Sequence, residues 1–299
     1  MHSSLKSYLS AHRKTVDSAI GKFLPAARVR PATVHEAMRY SMFAGGKRLR
    51  PILTLAAAEA CGGEIEPALP SAAAVECIHT YSLIHDDLPC MDDDDVRRGM
   101  PTSHVKFGEG VAVLAGDALL TIAFKILAKT VPIAKSRYTV ADFVADLADT
   151  AGSRKLIGGQ ILDLEGEGEN VKLTPAQLRY IHESKTAALL SCSVRLGGMA
   201  ANATPKKLEA LSEFGHSVGL AFQVIDDILD VTQTSEKLGK SAGKDEASDK
   251  STYPAMFGLE KSRKEAARLT TKALKALKPF GKKGERLEQI GHYLLDRDY

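Results

Sequence analysis

The chain has 299 residues, of which 44% are apolar and 26% charged, and its formal net charge is +3. This length can bury a large core, and the near balance of charge argues against both nucleic-acid binding and an acidic, solvated chain. No apolar run approaches the roughly 20 residues that span a bilayer, so we expect no stable membrane insertion. The four cysteines form no CxxC pair, and their pattern favours reduced thiols in a cytoplasmic protein.

Apolar residues recur at helical spacing almost throughout the chain, whereas alternating runs of strand type are scarce. Because the connections are short, we predict an all-α protein, a single large helical bundle with one domain over residues 1–299. The predicted helices cover residues 3–22, 32–43, 51–61, 68–88, 109–130, 137–165, 175–197, 205–232, 252–278 and 285–296. The first of these also has features of a transit peptide, but it fits an amphipathic helix better. Gly62-Gly63 and Gly197-Gly198 are predicted to end helices.

The segment GGKRLRP, residues 45–51, lies between two predicted helices. Paired glycines let a backbone approach an anion closely, and the basic side chains of Lys47, Arg48 and Arg50 can surround a phosphate. A helix cap with solvated charges would explain the same residues. The segment is not a Walker loop, because GxxxxGK[ST] is absent.

A dense acid cluster follows, with six aspartates among residues 86–95. Carboxylate oxygens select hard cations such as Mg2+, so the cluster indicates a metal site, although an exposed acidic loop is the alternative. On the helix that enters the cluster, His79, Ser82 and Asp86 share one face. This alignment makes His79 a candidate phosphate contact.

Asp86 and Asp92 are six residues apart, which on an unbroken helix would point them in different directions. Pro89 interrupts the helix, so the intervening residues can bulge out and return Asp92 toward Asp86. We therefore predict a kink or loop at residues 88–90.

A second acid cluster lies far downstream, where Gln223, Asp226 and Asp230 share another helix face. Two such faces opposite each other would hold Mg2+ ions bridged by a pyrophosphate. The basic segment at residues 237–245 would close over the phosphates as a lid, with a solvated linker as the alternative.

Sparse polar residues interrupt two apolar helices between the clusters, at Gly158-Gly159-Gln160 and at Lys185-Thr186. A few polar groups in an apolar cavity suit a greasy substrate with one charged end. Helix packing is the alternative explanation for the two glycines.

Together, GGKRLRP, ECIHTYSLIHDDLPCMDDDDVRRG, GGQILDL, ESKT and FQVIDDILD with the GKSAGKD segment after it resemble the trans-isoprenyl diphosphate synthases, most closely the bacterial-type farnesyl diphosphate synthases. The match covers about residues 32 to 255, in the order of the family. The resemblance implies a helical bundle with a deep central cavity, a homodimer, and three Mg2+ ions per active site. It also implies that isoprenoid diphosphates are the substrates and that an allylic diphosphate is joined head to tail to isopentenyl diphosphate.

The resemblance further implies roles for individual residues. The Mg2+ ligands are Asp86, Asp92 and Asp226. The allylic diphosphate is bound by Arg97, Lys185 and Lys240. The diphosphate of isopentenyl diphosphate, which needs no metal, is bound by Lys47, Arg50, His79 and Arg98. Thr186 and Gln223 offer oxygens to the carbocation, and the released pyrophosphate takes the proton.

Product length depends on Tyr81, which lies five residues before Asp86, about 7.5 Å along the helix. In the family, an aromatic residue there followed by a small one, here Ser82, goes with a C15 product. We therefore predict farnesyl diphosphate, with geranylgeranyl or geranyl diphosphate as alternatives. A terpene cyclase is disfavoured because it would not need a second diphosphate site, and a non-catalytic subunit because both acid clusters are intact.

Overall fold

The structure is a computed structural model that describes residues 4–130, 135–166, 173–232 and 252–295. Its longer helices are α1 (Leu5–Phe23), α2 (Ala32–Phe43), α3 (Leu49–Cys61), α4 (Leu69–Asp86), α5 (Ser103–Phe107), α6 (Glu109–Leu127), α7 (Val140–Ala151), α8 (Leu156–Glu165), α9 (Pro175–Ile181), α10 (Ala188–Ala200), α11 (Pro205–Thr232), α12 (Tyr253–Phe257), α13 (Leu259–Ala276) and α14 (Glu285–Leu295). A π-helical turn, His182–Ala187, joins α9 to α10. Two 3-10 turns span Glu66–Ala68 and Lys278–Gly284.

The prediction of an all-α bundle is confirmed, and the predicted bounds of α2 and α11 agree with the structure. The single helix predicted over residues 137–165 is wrong, because α7 ends at Ala151 and α8 begins at Leu156. The helix predicted over residues 252–278 is likewise divided, at Gly258, whose φ of 82° lies in the left-handed region. A short hairpin, β1 (Val96–Arg97) with β2 (Met100–Pro101), was not predicted.

The centre of the bundle consists of α3, α4, α10 and α11, with α6 packed against α4 and α13 against α11. Gly197-Gly198 do not end a helix as predicted, since α10 continues to Ala200. A Cβ at Gly197 would lie 2.0 Å from the carbonyl oxygen of Thr54 on α3. The glycine is therefore needed because α3 and α10 approach each other closely.

The first helix packs into the bundle, with Val16 and Ile20 fully buried. Within the described residues, α6 alone is long and apolar enough to cross a membrane by length and composition. The expectation that no apolar run comes near that length was therefore wrong. This is weak evidence for a span, because core helices pass the same test, and α6 contacts both α2 and α4.

Candidate active site

A cavity of about 500 Å³ opens among α3, α4, α6, α8 and the π-helical turn. Its walls are largely apolar, with Leu83, Leu120, Leu156, Ile157, Ile161 and Leu164 among the lining residues. It brings together seven residues predicted from the sequence: Arg50, His79, Tyr81, Ser82, Asp86, Lys185 and Thr186. A greasy cavity with charged groups on part of its wall suits a substrate with an apolar chain and an ionic end.

The predicted break at Pro89 is confirmed. Helix α4 ends at Asp86, and the Met91 N–H donates to the Leu88 carbonyl oxygen at 2.8 Å. The Asp92 N–H donates to the Asp86 carbonyl oxygen, also at 2.8 Å. The bulge therefore returns Asp92 to the end of the helix that carries Asp86.

Asp86 has the most perturbed carboxyl group of the first cluster. Burial raises its pKa to about 6, and the nearby Asp92 adds to this effect. Lys185 and Arg97 oppose it, since their positive charges favour the ionised form. The protein alone thus stabilises the charge on Asp86 incompletely, and a cation bound beside it would stabilise that charge further.

Asp87, in contrast, is paired with a side chain of the protein, that of Arg97. It is 3% exposed and accepts a hydrogen bond from Arg97 Nε at 2.6 Å, and Arg97 Nη2 also lies 3.5 Å from Asp94. Two adjacent aspartates therefore have different surroundings, one lining the cavity and one paired with an arginine. The sequence did not distinguish them. In this structure Arg97, predicted to bind the allylic diphosphate, contacts carboxylates of its own cluster.

A basic pocket forms where α3, α4 and the hairpin meet. Arg50 Nη1 lies 3.3 Å from His79 Nε2, while Arg50 Nε is buried without a hydrogen-bond partner. Burial, Arg50 and Arg98 hold the pKa of His79 well below its usual value, so the imidazole is neutral at pH 7. Burial and Arg98 also lower the pKa of Arg50, although Glu76 opposes them. Such an excess of positive charge favours an anionic ligand.

The paired glycines give Arg98 its position. Gly45 and Gly46 have φ of 98° and 110°, which disfavours other residues there. The Gly45 carbonyl oxygen accepts a hydrogen bond from Arg98 Nη1 at 2.8 Å, and a Cβ at Gly46 would lie 2.7 Å from the same nitrogen. The glycines therefore leave room for an arginine beside the pocket.

The expectation that three basic residues of GGKRLRP surround a phosphate is wrong for Arg48. Its guanidinium is buried and donates to Asp17 at 2.7 Å and to Glu76 at 2.9 Å. It is therefore neutralised within the protein. Lys47 is exposed, with its ammonium 5.4 Å from the ring centroid of Tyr293.

The π-helical turn carries Lys185 and Thr186 to the cavity wall, and this wider turn was not predicted. Lys185 Nζ donates to Asp163 Oδ2 at 2.7 Å, and Thr186 Oγ1 donates to Gln223 Oε1 at 2.9 Å. A Cβ at Gly159 would lie 2.8 Å from the Lys185 backbone nitrogen. Gly159 thus serves the close packing of α8 against this turn, the alternative considered for the glycine pair.

Asp226 lies on α11, three residues after Gln223, and is partly exposed. Within the described residues, no three His, Cys, Asp or Glu side chains are grouped so that they alone could hold a metal ion. The oxygen donors of Asp86 and Asp92, with the raised pKa of Asp86, fit Mg2+ that completes its coordination with substrate oxygens. Lys240 and the predicted lid at residues 237–245 lie outside the described residues.

Tyr81 lines the cavity and is 5% exposed; burial raises its pKa to about 12. Its ring meets the ring of His85 edge-on, with centroids 5.7 Å apart. The His85 Nε2 atom lies 3.0 Å from the Val113 carbonyl oxygen of α6. A Cβ at Gly116 would come within 2.1 Å of that atom. The position of the tyrosine is therefore supported from α6 through His85.

The sequence profile of the polyprenyl synthetase family matches residues 31–290. The chain is 48% identical over 297 residues to a chloroplastic geranylgeranyl pyrophosphate synthase of Capsicum annuum, covering 99% of this chain and 79% of that protein. It is 43% identical over 298 residues to a geranylgeranyl diphosphate synthase of Cyanophora paradoxa, covering 99% and 97%. The crystal structure of an FPP/GFPP synthase from Zymomonas mobilis superposes with a TM-score of 0.86 at 34% identity, covering 97% of this chain and 98% of that one. The chain belongs to the polyprenyl synthetase family.

Proposed function

We propose that this protein joins an allylic diphosphate to isopentenyl diphosphate and that its main product is farnesyl diphosphate. The observation that supports this most is a single apolar cavity bordered by two unlike charged regions. One region is acidic and suited to Mg2+, at Asp86 and Asp92. The other is basic, at Arg50, His79 and Arg98. Two diphosphates could thus bind beside one apolar cavity, one through Mg2+ at the acidic region and the other directly at the basic region.

The basic pocket suits isopentenyl diphosphate. Arg50 has an unsatisfied guanidinium N–H, and a neutral His79 can donate one N–H to a phosphate oxygen. An anion would also relieve the repulsion from Arg98 that, together with burial, lowers the pKa of Arg50, and the repulsion from Arg48 and Arg97 that, together with burial, lowers the pKa of Arg98. We therefore expect this substrate to bind without metal.

The acidic side suits the allylic diphosphate. Mg2+ held by Asp86, Asp92 and Asp226 would neutralise the charge that develops on the leaving diphosphate. Lys185 lies near Asp86 and lines the cavity, so its ammonium is placed to contribute positive charge to the same group. Asp163 holds that ammonium by a hydrogen bond of 2.7 Å.

The carbocation left after ionisation needs negative dipoles nearby and protection from water. Thr186 supplies a hydroxyl oxygen at the cavity wall, and the apolar side chains of α6 and α8 exclude water. Attack by isopentenyl diphosphate forms the new carbon–carbon bond, and loss of a proton restores a double bond. The released pyrophosphate is the base that we propose for this proton.

A C15 product is supported by the buried Tyr81 ring in the cavity wall. A C20 product is the second candidate, because the plant and algal relatives carry the name of geranylgeranyl diphosphate synthases. The two differ in whether the cavity accepts one further five-carbon unit beyond Tyr81.

The deciding experiment is incubation of the protein with labelled isopentenyl diphosphate, dimethylallyl diphosphate and Mg2+, followed by sizing of the products. We expect labelled farnesyl diphosphate. Labelled C20 diphosphate would favour the second candidate. Consumption of the allylic diphosphate without incorporation of label would refute prenyl transfer and favour a cyclase.

We also propose that the protein is a homodimer. The support is a pair of adjacent exposed apolar side chains on α6, Val113 and Leu114. Exposed apolar side chains grouped on one surface are typical of contact surfaces between subunits. Light scattering at micromolar concentration should give twice the chain mass, 64.2 kDa from a chain mass of 32.1 kDa. The mass of one chain would contradict this.

A further inference from the structure

A chain of hydrogen bonds runs from the cavity wall to the start of α12. Thr186 Oγ1 donates to Gln223 Oε1 at 2.9 Å, and Gln223 Nε2 donates to Asp227 Oδ1 at 3.2 Å. The other oxygen of Asp227 accepts the Tyr253 backbone N–H at 2.9 Å. His182 Nε2 lies 3.6 Å from that same oxygen. Asp227 is 5% exposed, so its carboxylate is shielded from bulk water.

The direction of these hydrogen bonds depends on Asp227. An ionised carboxylate can only accept, so Gln223 must turn its NH2 group toward Asp227. The amide oxygen then faces Thr186 and accepts its hydroxyl proton. Thr186 therefore offers oxygen lone pairs, and not a proton, to the cavity that it lines. Since the two ends of an amide have nearly the same shape, the charged acceptor decides the orientation.

We infer that Asp227 is a positioning residue, which fixes the Gln223 amide so that Thr186 presents its oxygen to the reacting carbon chain. This inference rests on the proposed function, because an oxygen lone pair stabilises a developing cation whereas a hydroxyl proton does not. It also gives the neighbouring aspartates of the second cluster separate roles. Asp226 is partly exposed, whereas Asp227 is buried and acts through Gln223.

The first test is the Asp227→Asn variant. The two donors, Gln223 Nε2 and the Tyr253 N–H, face different oxygens of Asp227, and asparagine replaces one of those oxygens by an NH2 group, so it cannot accept from both. When its NH2 group faces Gln223, the Gln223 amide turns over and Thr186 directs its proton to the cavity. We expect kcat for condensation to fall by about tenfold or more. The KM of each diphosphate and the half-saturating Mg2+ concentration should change by less than about threefold, because no substrate or metal contact is removed.

A double-mutant cycle with Gln223→Met shows whether Asp227 acts through the amide. Methionine keeps an unbranched side chain of similar length but has neither amide group. In that background, Asp227→Asn should lower kcat by less than about threefold further. An equal loss of kcat in both backgrounds would overturn the inference, because Asp227 would then act through contacts other than the one with Gln223.

A second measurement does not depend on activity. The urea midpoints of Thr186→Val, Asp227→Asn and the double variant should be non-additive, and this coupling should vanish when Gln223 is methionine. Additive midpoints would overturn the inference even if the enzyme condenses its substrates. If the coupling is present but the wild-type protein does not condense, the proposed function fails and the amide orientation stands.

Asp146→Asn is the matched control. Asp146 is also a largely buried carboxylate, and Arg195 Nε donates to it at 2.9 Å. It does not belong to the hydrogen-bond chain at Thr186. This variant should lower the urea midpoint while kcat stays close to that of the wild-type protein. A loss of kcat as large as that of Asp227→Asn would show that any buried charge change has this effect, and would overturn the inference.

Discussion

Arg97 Nε donates to Asp87 Oδ1 at 2.6 Å, and this contact separates two adjacent aspartates. Asp87 is 3% exposed and hydrogen-bonded to the arginine, although burial still raises its pKa, whereas Asp86 lines the cavity. A run of acids that looks uniform in sequence therefore has a structural member and a cavity-facing member. Different consequences follow for the two substitutions to asparagine.

Asp86→Asn should lower kcat for condensation by about a hundredfold or more, because it removes a proposed Mg2+ ligand beside the leaving diphosphate. Its stability should be unchanged or higher, since burial already disfavours the ionised carboxyl. Burial raises the pKa of Asp87 as well, but Asp87→Asn should destabilise the fold by about 2 kcal/mol, because Arg97 loses the carboxylate to which it donates a hydrogen bond. Kinetics and urea unfolding of both variants check this. Equal losses of stability in the two variants would contradict the distinction between a structural and a cavity-facing aspartate.

Substitutions of Arg48 and Arg50 should also differ, one affecting stability and the other substrate binding. Arg48→Leu leaves the carboxylate of Glu76 buried without its hydrogen-bonded cation, so we expect a loss of about 3 kcal/mol in the free energy of unfolding. Arg50→Gln should leave stability unchanged while raising the KM for isopentenyl diphosphate by about tenfold or more. Urea unfolding and substrate titrations measure both effects. An Arg48→Leu protein of normal stability would show that its ion pairs contribute little.

Tyr81→Ala should lengthen the product from C15 to C20 or longer, because removal of the ring deepens the cavity beyond that point. The measurement is product sizing in the presence of excess isopentenyl diphosphate. Tyr138→Ala is the control, since Tyr138 is only partly buried and hydrogen-bonds to the Ala203 carbonyl oxygen, and neither residue lines the cavity. Its products should not change. A C15 product from Tyr81→Ala would mean that another residue limits chain length.

His182 gives a prediction for pH dependence. Burial lowers its pKa from 6.5 to about 4, although Asp163 opposes the shift. Between these values the unfolded chain binds more protons than the folded protein, so stability falls as the pH is lowered. From pH 7 to pH 5 we expect this residue to account for a loss of about 2 kcal/mol. His182→Gln should lose correspondingly less stability over that range in urea unfolding. An equal loss of stability between pH 7 and pH 5 in the wild-type and His182→Gln proteins would contradict this.

The Gly159→Ala variant should show that activity depends on the close packing of α8 against the π-helical turn. Its Cβ would lie 2.8 Å from the Lys185 backbone nitrogen and 2.9 Å from Ser184 Cβ, so the turn that carries Lys185 must shift. We expect a loss of about 1 to 3 kcal/mol in stability and at least about tenfold in kcat. Gly110→Ala is the control, because nothing lies within 4 Å of its added Cβ. It should retain full activity. Normal activity of Gly159→Ala would show that the turn tolerates displacement.

Local patterns predicted much of the fold and part of the candidate site. Helical periodicity gave α2 and α11 their bounds, and a proline between two aspartates gave the break after α4. The shared face of His79, Ser82 and Asp86 does line the cavity. These features depend on residues close together in sequence, where spacing determines direction.

Contacts between distant residues could not be predicted in the same way. Arg48 and Arg50 carry the same charge, and Arg48 is distinguished by Asp17 and Glu76, about 30 residues away on either side. One signal was present, since Glu76 lies in an otherwise apolar part of α4 and a buried acid needs a cation. The π-helical turn and the pairing of Lys185 with Asp163 depend on the packing of α8 and had no such signal.

The most direct test of the two unlike diphosphate sites is calorimetric titration of the wild-type protein with each substrate, with and without Mg2+. We expect isopentenyl diphosphate to bind in the presence of a chelator, through Arg50, His79 and Arg98. A non-ionisable analogue of the allylic diphosphate should bind only when Mg2+ is added. Binding of isopentenyl diphosphate that requires Mg2+, or binding of the allylic analogue that does not, would contradict the division of the cavity into a basic and a metal-dependent side.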